Sequence, residues 1–355
     1  MRKLLLMISV VFVFGAPAAA QSGWTCPEGF AGQTLSVYNW STYIAEDTIA
    51  NFESLCGVRV IYDTYPTDDD MLVRLRRGNP GFDVVVPSDV IVRLMIEENL
   101  IDVIDARDLP NFGNLSSTFT GLDFDPENRY TVPYQWGTVG VGYNVDKVGE
   151  ITSWAEVFAH QGAVAWLNDV PAMMGVALNI LGFDPNSEVA SEVAAARDFL
   201  IENGRNVVYI ASDDGQEMLL RGEADIVVEY SGDIFQIMDE CDCDTYAYVI
   251  PEEGANFWVD SLAIPVGANN KALALVFLDY MLDPQVAADI SNYTAYGSPN
   301  ALAIELGLID EELLEDPGIY PTEETQERLF FTSQSAGREA MLNDAWDEIR
   351  IFVGR

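Results

Sequence analysis

Residues 35–99 read LSVYNWSTYIAEDTIANFESLCGVRVIYDTYPTDDDMLVRLRRGNPGFDVVVPSDVIVRLMIEEN, and this stretch decides the fold class. Short β-branched runs alternate here with amphipathic helical patterns, predicting strands at 35–38, 58–62 and 83–86 and helices at 46–56, 68–77 and 88–99. Aspartates cap the second helix in this interpretation, and Ser88 caps the third. The third strand is uninterrupted and apolar, as buried parallel strands are. The βαβαβα order predicts an α/β protein with an open parallel sheet.

A second αβ series follows, with strands predicted near 163–167, 207–210 and 225–230 and later helices at 271–282, 284–293 and 337–351. Two long extended runs, 130–144 and 257–265, are suited to passing from one lobe to another. We therefore expect two α/β lobes with a cleft between them. The first comprises residues 21–138 plus 261–287, and the second comprises 139–260 plus 288–355.

The first twenty residues have the features of a secretory signal peptide. Arg2 and Lys3 precede the uncharged, largely apolar stretch Leu4 to Gly15, and Ala18 to Ala20 offers a small-residue cleavage site. The apolar stretch is shorter than the ~20 residues that a membrane-spanning helix needs. We expect residues 1–20 to be removed and the mature protein to be soluble in the periplasm.

The four cysteines would then lie in an oxidising compartment, where disulfides are permitted. Four cysteines allow three pairings, and the sequence does not choose between them. Cys26 with Cys56 is the simplest pair, since it would tie the mature N-terminus to the end of the first helix. Cys241 and Cys243 could form a local disulfide or remain thiols, while a metal site is disfavoured because no histidine accompanies them. No metal or other cofactor is expected.

The charge balance excludes several classes of protein. The chain carries 57 acidic and 18 basic residues, a net charge of −39, which argues against binding to nucleic-acid phosphates or anionic lipid. A hydrophobic content of 49% is too high for a disordered acidic chain. Only three of the basic residues are lysine, so much of the acidity is interpreted as adaptation of the surface to high salt.

Catalytic signatures are missing from the sequence. The one histidine, His160, lies beside a predicted helix end, and we interpret it as a solvated loop residue. There is no G-x-S-x-G motif, no P-loop and no H-E-x-x-H motif. We therefore expect a protein that is not an enzyme.

Aromatic residues stand beside carboxylates or hydroxyls at predicted strand ends, in the segments 38–43, 230–233, 258–260 and 296–298. Ligands of open α/β sheets bind beyond the carboxyl ends of strands, so these segments could meet in the cleft. Aromatic faces suit methylene chains and attract cations, and carboxylates bind ammonium groups. The set predicts a site for an elongated organic cation, although an aromatic residue taken alone more often packs in the core or between lobes than in a ligand site.

Several blocks of the sequence, in order along the mature chain, resemble the polyamine-binding periplasmic proteins of ABC transporters. They are residues 38–44 (YNWSTYI), 82–88 (FDVVVPS), 132–138 (VPYQWGT), 260–265 (DSLAIP) and 317–321 (PGIYP). Residues 142–148 and 181–187 are more similar to the putrescine-preferring branch of the family.

The resemblance implies the two-lobed periplasmic binding protein fold, in which two α/β lobes joined by extended crossovers close over a ligand. In the family, the counterpart of Asp260 binds an amine and aromatics such as Trp258 sandwich the methylenes. The ligand-binding residues implied for this chain are Trp40, Ser41, Tyr43, Ser88, Asp169, Tyr230, Asp233, Trp258, Asp260, Tyr296 and Gln334.

Three positions depart from the family pattern. Thr42 stands where putrescine binders tend to have aspartate, Ala172 stands where members carry a glutamate that holds the distal amine, and Val90 replaces an aromatic or polar residue. Each lost charge-assisted hydrogen bond is worth roughly 1.5–3 kcal/mol. The departures suggest a longer or differently headed cation, such as agmatine or a modified polyamine, or else a weaker diamine site.

The resulting expectation is a monomeric periplasmic receptor. It would capture a polyamine or related cation and deliver it to an inner-membrane ABC permease, without nucleic acid as a partner. The alternative is a periplasmic sensing subunit of the same fold that signals to a membrane protein.

Overall fold

The computed structural model describes residues 23–212, 214–241, 243–333 and 335–353. The predicted signal peptide and Gln334 lie outside these residues. The strands of the described part are β1 (Thr34–Trp40), β2 (Arg59–Tyr65), β3 (Val84–Val85), β4 (Thr131–Asn144), β5 (Val164–Leu167), β6 (Val207–Ala211), β7 (Ile226–Tyr230), β8 (Tyr246–Val249) and β9 (Asn256–Ala263).

The helices lie between and after these strands. They are α1 (Thr48–Cys56), α2 (Asp68–Arg76), α3 (Asp89–Glu97), α4 (Val145–Val148), α5 (Trp154–Ala159), α6 (Val170–Ile180), α7 (Ala190–Asn203), α8 (Gly215–Leu220), α9 (Ser231–Cys241), α10 (Lys271–Met281), α11 (Pro284–Thr294), α12 (Ala301–Glu305), α13 (Glu311–Glu315), α14 (Glu323–Gln326) and α15 (Ala336–Phe352).

The strands form one continuous sheet in the order β2-β1-β3-β9-β4-β7-β5-β6, and β8 pairs with β4. The group β2-β1-β3 is parallel throughout, and so is the group β7-β5-β6. Between these groups, β9 pairs antiparallel with β3 and β4, and β4 pairs antiparallel with β7. The sheet is therefore mixed, and its two parallel halves meet through two antiparallel strands.

Those two connecting strands are the extended runs identified in the sequence. The fourteen residues of β4 are buried along almost their whole length, and eight residue pairs join β4 to β9 across a bulge between Pro133 and Gln135. Paired backbone satisfies the buried N–H and C=O groups of such long segments. The exact boundaries assigned above to the two lobes stay a prediction.

Local sequence explains where the first elements begin and end. Gly57 adopts a left-handed conformation (φ 65°) after α1, where a side chain would be strained. The cap of α2 differs from the expectation: Thr67 is the N-cap, its hydroxyl accepts the Asp70 N–H, and Asp68 is the first helical residue. Ser88 precedes α3, but its side chain does not cap that helix because its hydroxyl bonds to Asp68 instead. The third strand is also shorter than predicted, at two residues.

Two disulfides join the four cysteines. Cys26 bonds to Cys56, which ties residue 26 to the end of α1 as expected for the simplest pairing. Cys241 bonds to Cys243, so the local disulfide is the outcome among the alternatives left open. No cluster of three potential metal ligands occurs among the described residues.

The interpretation of His160 as a solvated residue was wrong. Its ring is only 18% exposed and lies 3.4 Å from Asp225, which also accepts a hydrogen bond from Lys147 at 2.7 Å. Within the described part of the chain, no helix is both long enough and apolar enough to cross a bilayer.

Candidate functional site

A cavity opens at the junction of the two halves of the sheet, and the space free of protein atoms in and around it, open solvent included, is about 520 Å³. We call it the inner cavity. Its lining includes all ten of the predicted site residues that the structure describes: Trp40, Ser41, Tyr43, Ser88, Asp169, Tyr230, Asp233, Trp258, Asp260 and Tyr296. Asp68, Val90 and Asn256 complete the lining.

Strand ends deliver most of these side chains. Trp40 ends β1 and the segment 41–43 follows it, Ser88 follows β3, Asp169 follows β5, and Tyr230 ends β7. Within each parallel group of strands the carboxyl ends share one edge. The two groups run in opposite directions and pair with different parts of the long strands β4 and β9, so their carboxyl ends face each other and these residues converge although they are distant in sequence. The crossing strand β9 contributes Trp258 and Asp260, which are two residues apart and therefore point to the same face.

Aromatic rings surround the cavity. The Trp258 ring centroid lies 5.8 Å from that of Tyr230 in an edge-on arrangement and 5.2 Å from that of Tyr296. Tyr43 lies 5.2 Å from Tyr296, also edge-on. The indole N–H of Trp40 donates to the Val86 carbonyl at 2.9 Å, which orients the ring. The rings hold one another in place and present apolar faces that suit a methylene chain.

Two glycines lack the side chains that would otherwise fill the space of the Trp258 and Tyr296 rings. A Cβ atom on Gly137 would lie 2.6 Å from the Trp258 ring and 2.9 Å from the Ser231 hydroxyl. A Cβ atom on Gly232 would lie 2.6 Å from the Tyr296 ring. Both positions therefore require the absence of a side chain if Trp258 and Tyr296 are to keep their places.

Two of the four carboxylates lining the inner cavity are deeply buried. Asp260 is 6% exposed and Asp233 is 5% exposed. Burial raises the pKa of Asp260 well above its ordinary range, and the negative charge of Asp68 raises it further. Burial raises the pKa of Asp233 to about 7, against which a hydrogen bond from Tyr296 acts. Both carboxyl groups lose hydration that the ionised form needs.

The other two carboxylates, Asp68 and Asp169, are partly buried. Asp169 is the N-cap of α6: one of its oxygens accepts the Ala172 N–H at 3.0 Å and the other accepts the Tyr230 hydroxyl at 3.2 Å. Burial raises its pKa. Asp68 accepts the hydroxyl of Ser88, and burial raises its pKa to about 7, with the charge of Asp169 adding to the rise.

No basic side chain balances these charges among the described residues. The ion pairs of that part of the chain involve other acids, and none includes Asp68, Asp169, Asp233 or Asp260. Buried charges are costly unless they are paired with an opposite charge. The cavity therefore combines apolar ring faces with carboxyl groups whose ionised form lacks a counter-charge, and an organic cation would supply that counter-charge.

Sequence reasoning missed Asp68 and Asn256. Asp68 was interpreted only as a helix cap, although it follows the carboxyl end of β2, where ligands of such sheets bind. Asn256 begins β9, is 2% exposed, and donates to the Thr332 hydroxyl at 3.2 Å. Its position just before the Trp258 segment was the available signal.

The structure places the three residues that depart from the family pattern in different environments. Val90 lines the inner cavity. Ala172 is fully buried and reaches the site only through its N–H bond to Asp169. Thr42 is exposed and adopts a left-handed backbone conformation (φ 47°), which is uncommon for a β-branched residue.

Comparison with known proteins identifies the family of the chain. Residues 47–320 match the family model described as bacterial extracellular solute-binding protein. The chain is 33% identical to the putrescine-binding periplasmic protein SpuD of Pseudomonas aeruginosa, covering 90% of this chain and 92% of SpuD. It is also 33% identical to the putrescine-binding periplasmic protein PotF of Escherichia coli, covering 95% of this chain and 96% of PotF.

A solved structure from Listeria monocytogenes, described as a spermidine/putrescine ABC transporter protein, superposes with a TM-score of 0.83 at 32% identity. It covers 90% of this chain and 99% of the other. These relatives are binding proteins of two-lobed architecture, in agreement with the expected fold and with the expectation that the chain is not an enzyme. The chain therefore belongs to the bacterial extracellular solute-binding protein family, in the group that includes the periplasmic putrescine- and spermidine-binding proteins.

Proposed function

We propose that this protein captures a polyamine or a related organic cation in the inner cavity and delivers it to an ABC permease of the inner membrane. The observation that carries the proposal is the set of four carboxylates, Asp68, Asp169, Asp233 and Asp260, in an aromatic cavity without a basic partner among the described residues. An ammonium group would supply the missing counter-charge, and its methylene chain would lie against the rings.

Removal of residues 1–20 would release the mature protein into the periplasm, where the relatives named above act. Binding between two lobes that close over the ligand would give the permease a ligand-dependent shape to recognise. We propose a monomer as the functional unit. Neither the site nor the relatives favour a sensing role over transport.

Titration calorimetry with putrescine, cadaverine, spermidine and agmatine tests the proposal, with Asp260→Ala as the decisive variant. Asp260 is buried in the cavity, so its loss should weaken binding of every amine by a factor of about 10 to 150, since hydrogen bonds to charged groups are worth about 1.5–3 kcal/mol and the ring faces alone carry no charge. The fold should be retained, because the substitution removes a buried carboxylate rather than an apolar contact.

Glu150→Ala is the matched control, since it removes one carboxylate from an exposed position outside the cavity. It should leave every amine affinity unchanged. Wild-type protein that binds none of the four amines, or a folded Asp260→Ala variant with undiminished affinity, would show that the proposed function is wrong.

A further inference from the structure

A second cavity adjoins the inner one, and we call it the outer cavity. The space free of protein atoms in and around it, open solvent included, is about 590 Å³. Six residues line both spaces and so form the boundary between them: Trp40, Asp68, Ser88, Val90, Asp169 and Tyr230. The outer cavity is bordered beyond this boundary by several polar side chains, Thr67, Asp69, Asn168, Ser212 and Asn343.

The carboxylates divide between the two spaces. Asp233 and Asp260 line only the inner cavity, whereas Asp68 and Asp169 belong to the boundary. A diamine has two ammonium groups, and Asp233 and Asp260 suffice to balance them. Asp68 and Asp169 would then remain close to each other and without counter-charge, which is an unfavourable arrangement for partly buried acids.

A purely structural role does not account for Asp68. The N-cap of α2 is Thr67, whose hydroxyl accepts the Asp70 N–H, so the helix does not need Asp68 as a cap. The side chain of Asp68 instead turns to the boundary and accepts the hydroxyl of Ser88. A neutral hydroxyl donor holds the carboxylate in position without cancelling its charge.

We infer that Asp68 is a specificity-determining residue which, with Asp169, binds a third cationic group, and that the preferred ligand is a polyamine with at least three amino groups whose chain extends from the inner into the outer cavity. This inference rests on the proposed function. Val90 presents a short side chain at the boundary, and the polar outer lining suits a hydrated terminal ammonium.

Asp68→Asn tests this assignment, because asparagine keeps the shape and an acceptor for Ser88 but removes the charge. Affinities for putrescine and spermidine should be measured by calorimetry at pH 8, which is above the value of about 7 to which burial raises the pKa of Asp68. Wild-type protein should bind spermidine at least tenfold more tightly than putrescine. The variant should lose tenfold or more in spermidine affinity and less than threefold in putrescine affinity.

Asp70→Asn is the matched control, since it makes the same charge change in the same helical turn at an exposed residue that lines neither cavity. It should change neither affinity. Asn343→Trp provides a second test that does not depend on the folding of the Asp68 variant. Asn343 is exposed and lines only the outer cavity, so a bulky ring there should weaken spermidine binding while sparing putrescine.

The outcomes separate the two proposals. Wild-type protein that binds putrescine as tightly as spermidine, an Asp68→Asn variant that weakens both ligands equally or neither, or an Asn343→Trp variant with unchanged spermidine affinity would overturn the role of Asp68 and the outer cavity. Each of these results would leave polyamine binding intact. Wild-type protein that binds no amine at all would overturn both.

Discussion

Ionisation of Asp233 lowers the free energy of unfolding of the ligand-free protein, and this effect depends on pH. Its carboxyl is 5% exposed, and burial raises its pKa from the ordinary 3.8 to about 7. Between these two values the native state holds a proton that the unfolded chain has released, so the free energy of unfolding falls as pH rises. Below about pH 4 both states are protonated, and the difference vanishes.

The magnitude follows from the shift. A difference of 3.2 pKa units, from 3.8 to about 7, corresponds to about 4 kcal/mol once both states are ionised. The same linkage gives about 2 kcal/mol at pH 5. Asp233→Asn removes the charge while keeping a polar group of similar shape. The variant should therefore be more stable than wild type by about 2 kcal/mol at pH 5 and about 4 kcal/mol at pH 8.

Urea denaturation of ligand-free wild type and variant at pH 5, 6, 7 and 8 measures this gap. Its widening with pH is the diagnostic feature, because a simple packing improvement would stabilise the variant equally at every pH. The same variant should bind polyamines more weakly, since the charge that destabilises the empty protein is the charge that a cation would neutralise. A gap that stays constant or narrows between pH 5 and pH 8 would refute the reasoning.

Two further predictions concern packing and covalent structure. Gly232→Ala should weaken amine binding about tenfold, because the new Cβ would displace the Tyr296 ring. The control Gly337→Ala, whose Cβ would meet no atom within 4 Å, should leave amine binding unchanged. If calorimetry gives the two variants equal amine affinities, this role of Gly232 is contradicted. Replacing Cys26 and Cys56 by serine should lower the free energy of unfolding by about 3–4 kcal/mol, because the disulfide closes a loop of sequence separation 30. The same change at Cys241 and Cys243, with a separation of 2, should cost far less in the same denaturant titration, and a reversed order would contradict the loop-closure argument.

The alternation of strands and helices could be predicted because each signal is local. Hydrophobic periodicity marks β1 and α3, and Gly57 ends α1 for a conformational reason that any glycine at that place would share. The antiparallel middle of the sheet could not be predicted in the same way. The pairing of β9 with both β3 and β4 joins segments that are far apart in sequence, and no local pattern specifies such partners.

Most of the candidate site was predicted through the same local motifs, aided by their resemblance to a family. Asp68 was not, because its sequence context of consecutive aspartates at a helix start has an ordinary explanation in helix capping. Its side chain acquires another role only when Ser88 is brought beside it. Gln334 lies outside the described residues, so its role stays a prediction.

The sequence by itself determined the α/β class, the order of elements and the chemical character of the site. These properties follow from residue type and periodicity, which are local and do not depend on tertiary contacts. Only the tertiary structure decided which carboxylates share one aromatic cavity and which of them, Asp68 and Asp169, stand at the boundary of a second. The physical reason is that desolvation and charge repulsion depend on distance in space. Each aspartate is an ordinary acid along the chain, and burial beside other acids makes it a group that requires a cation.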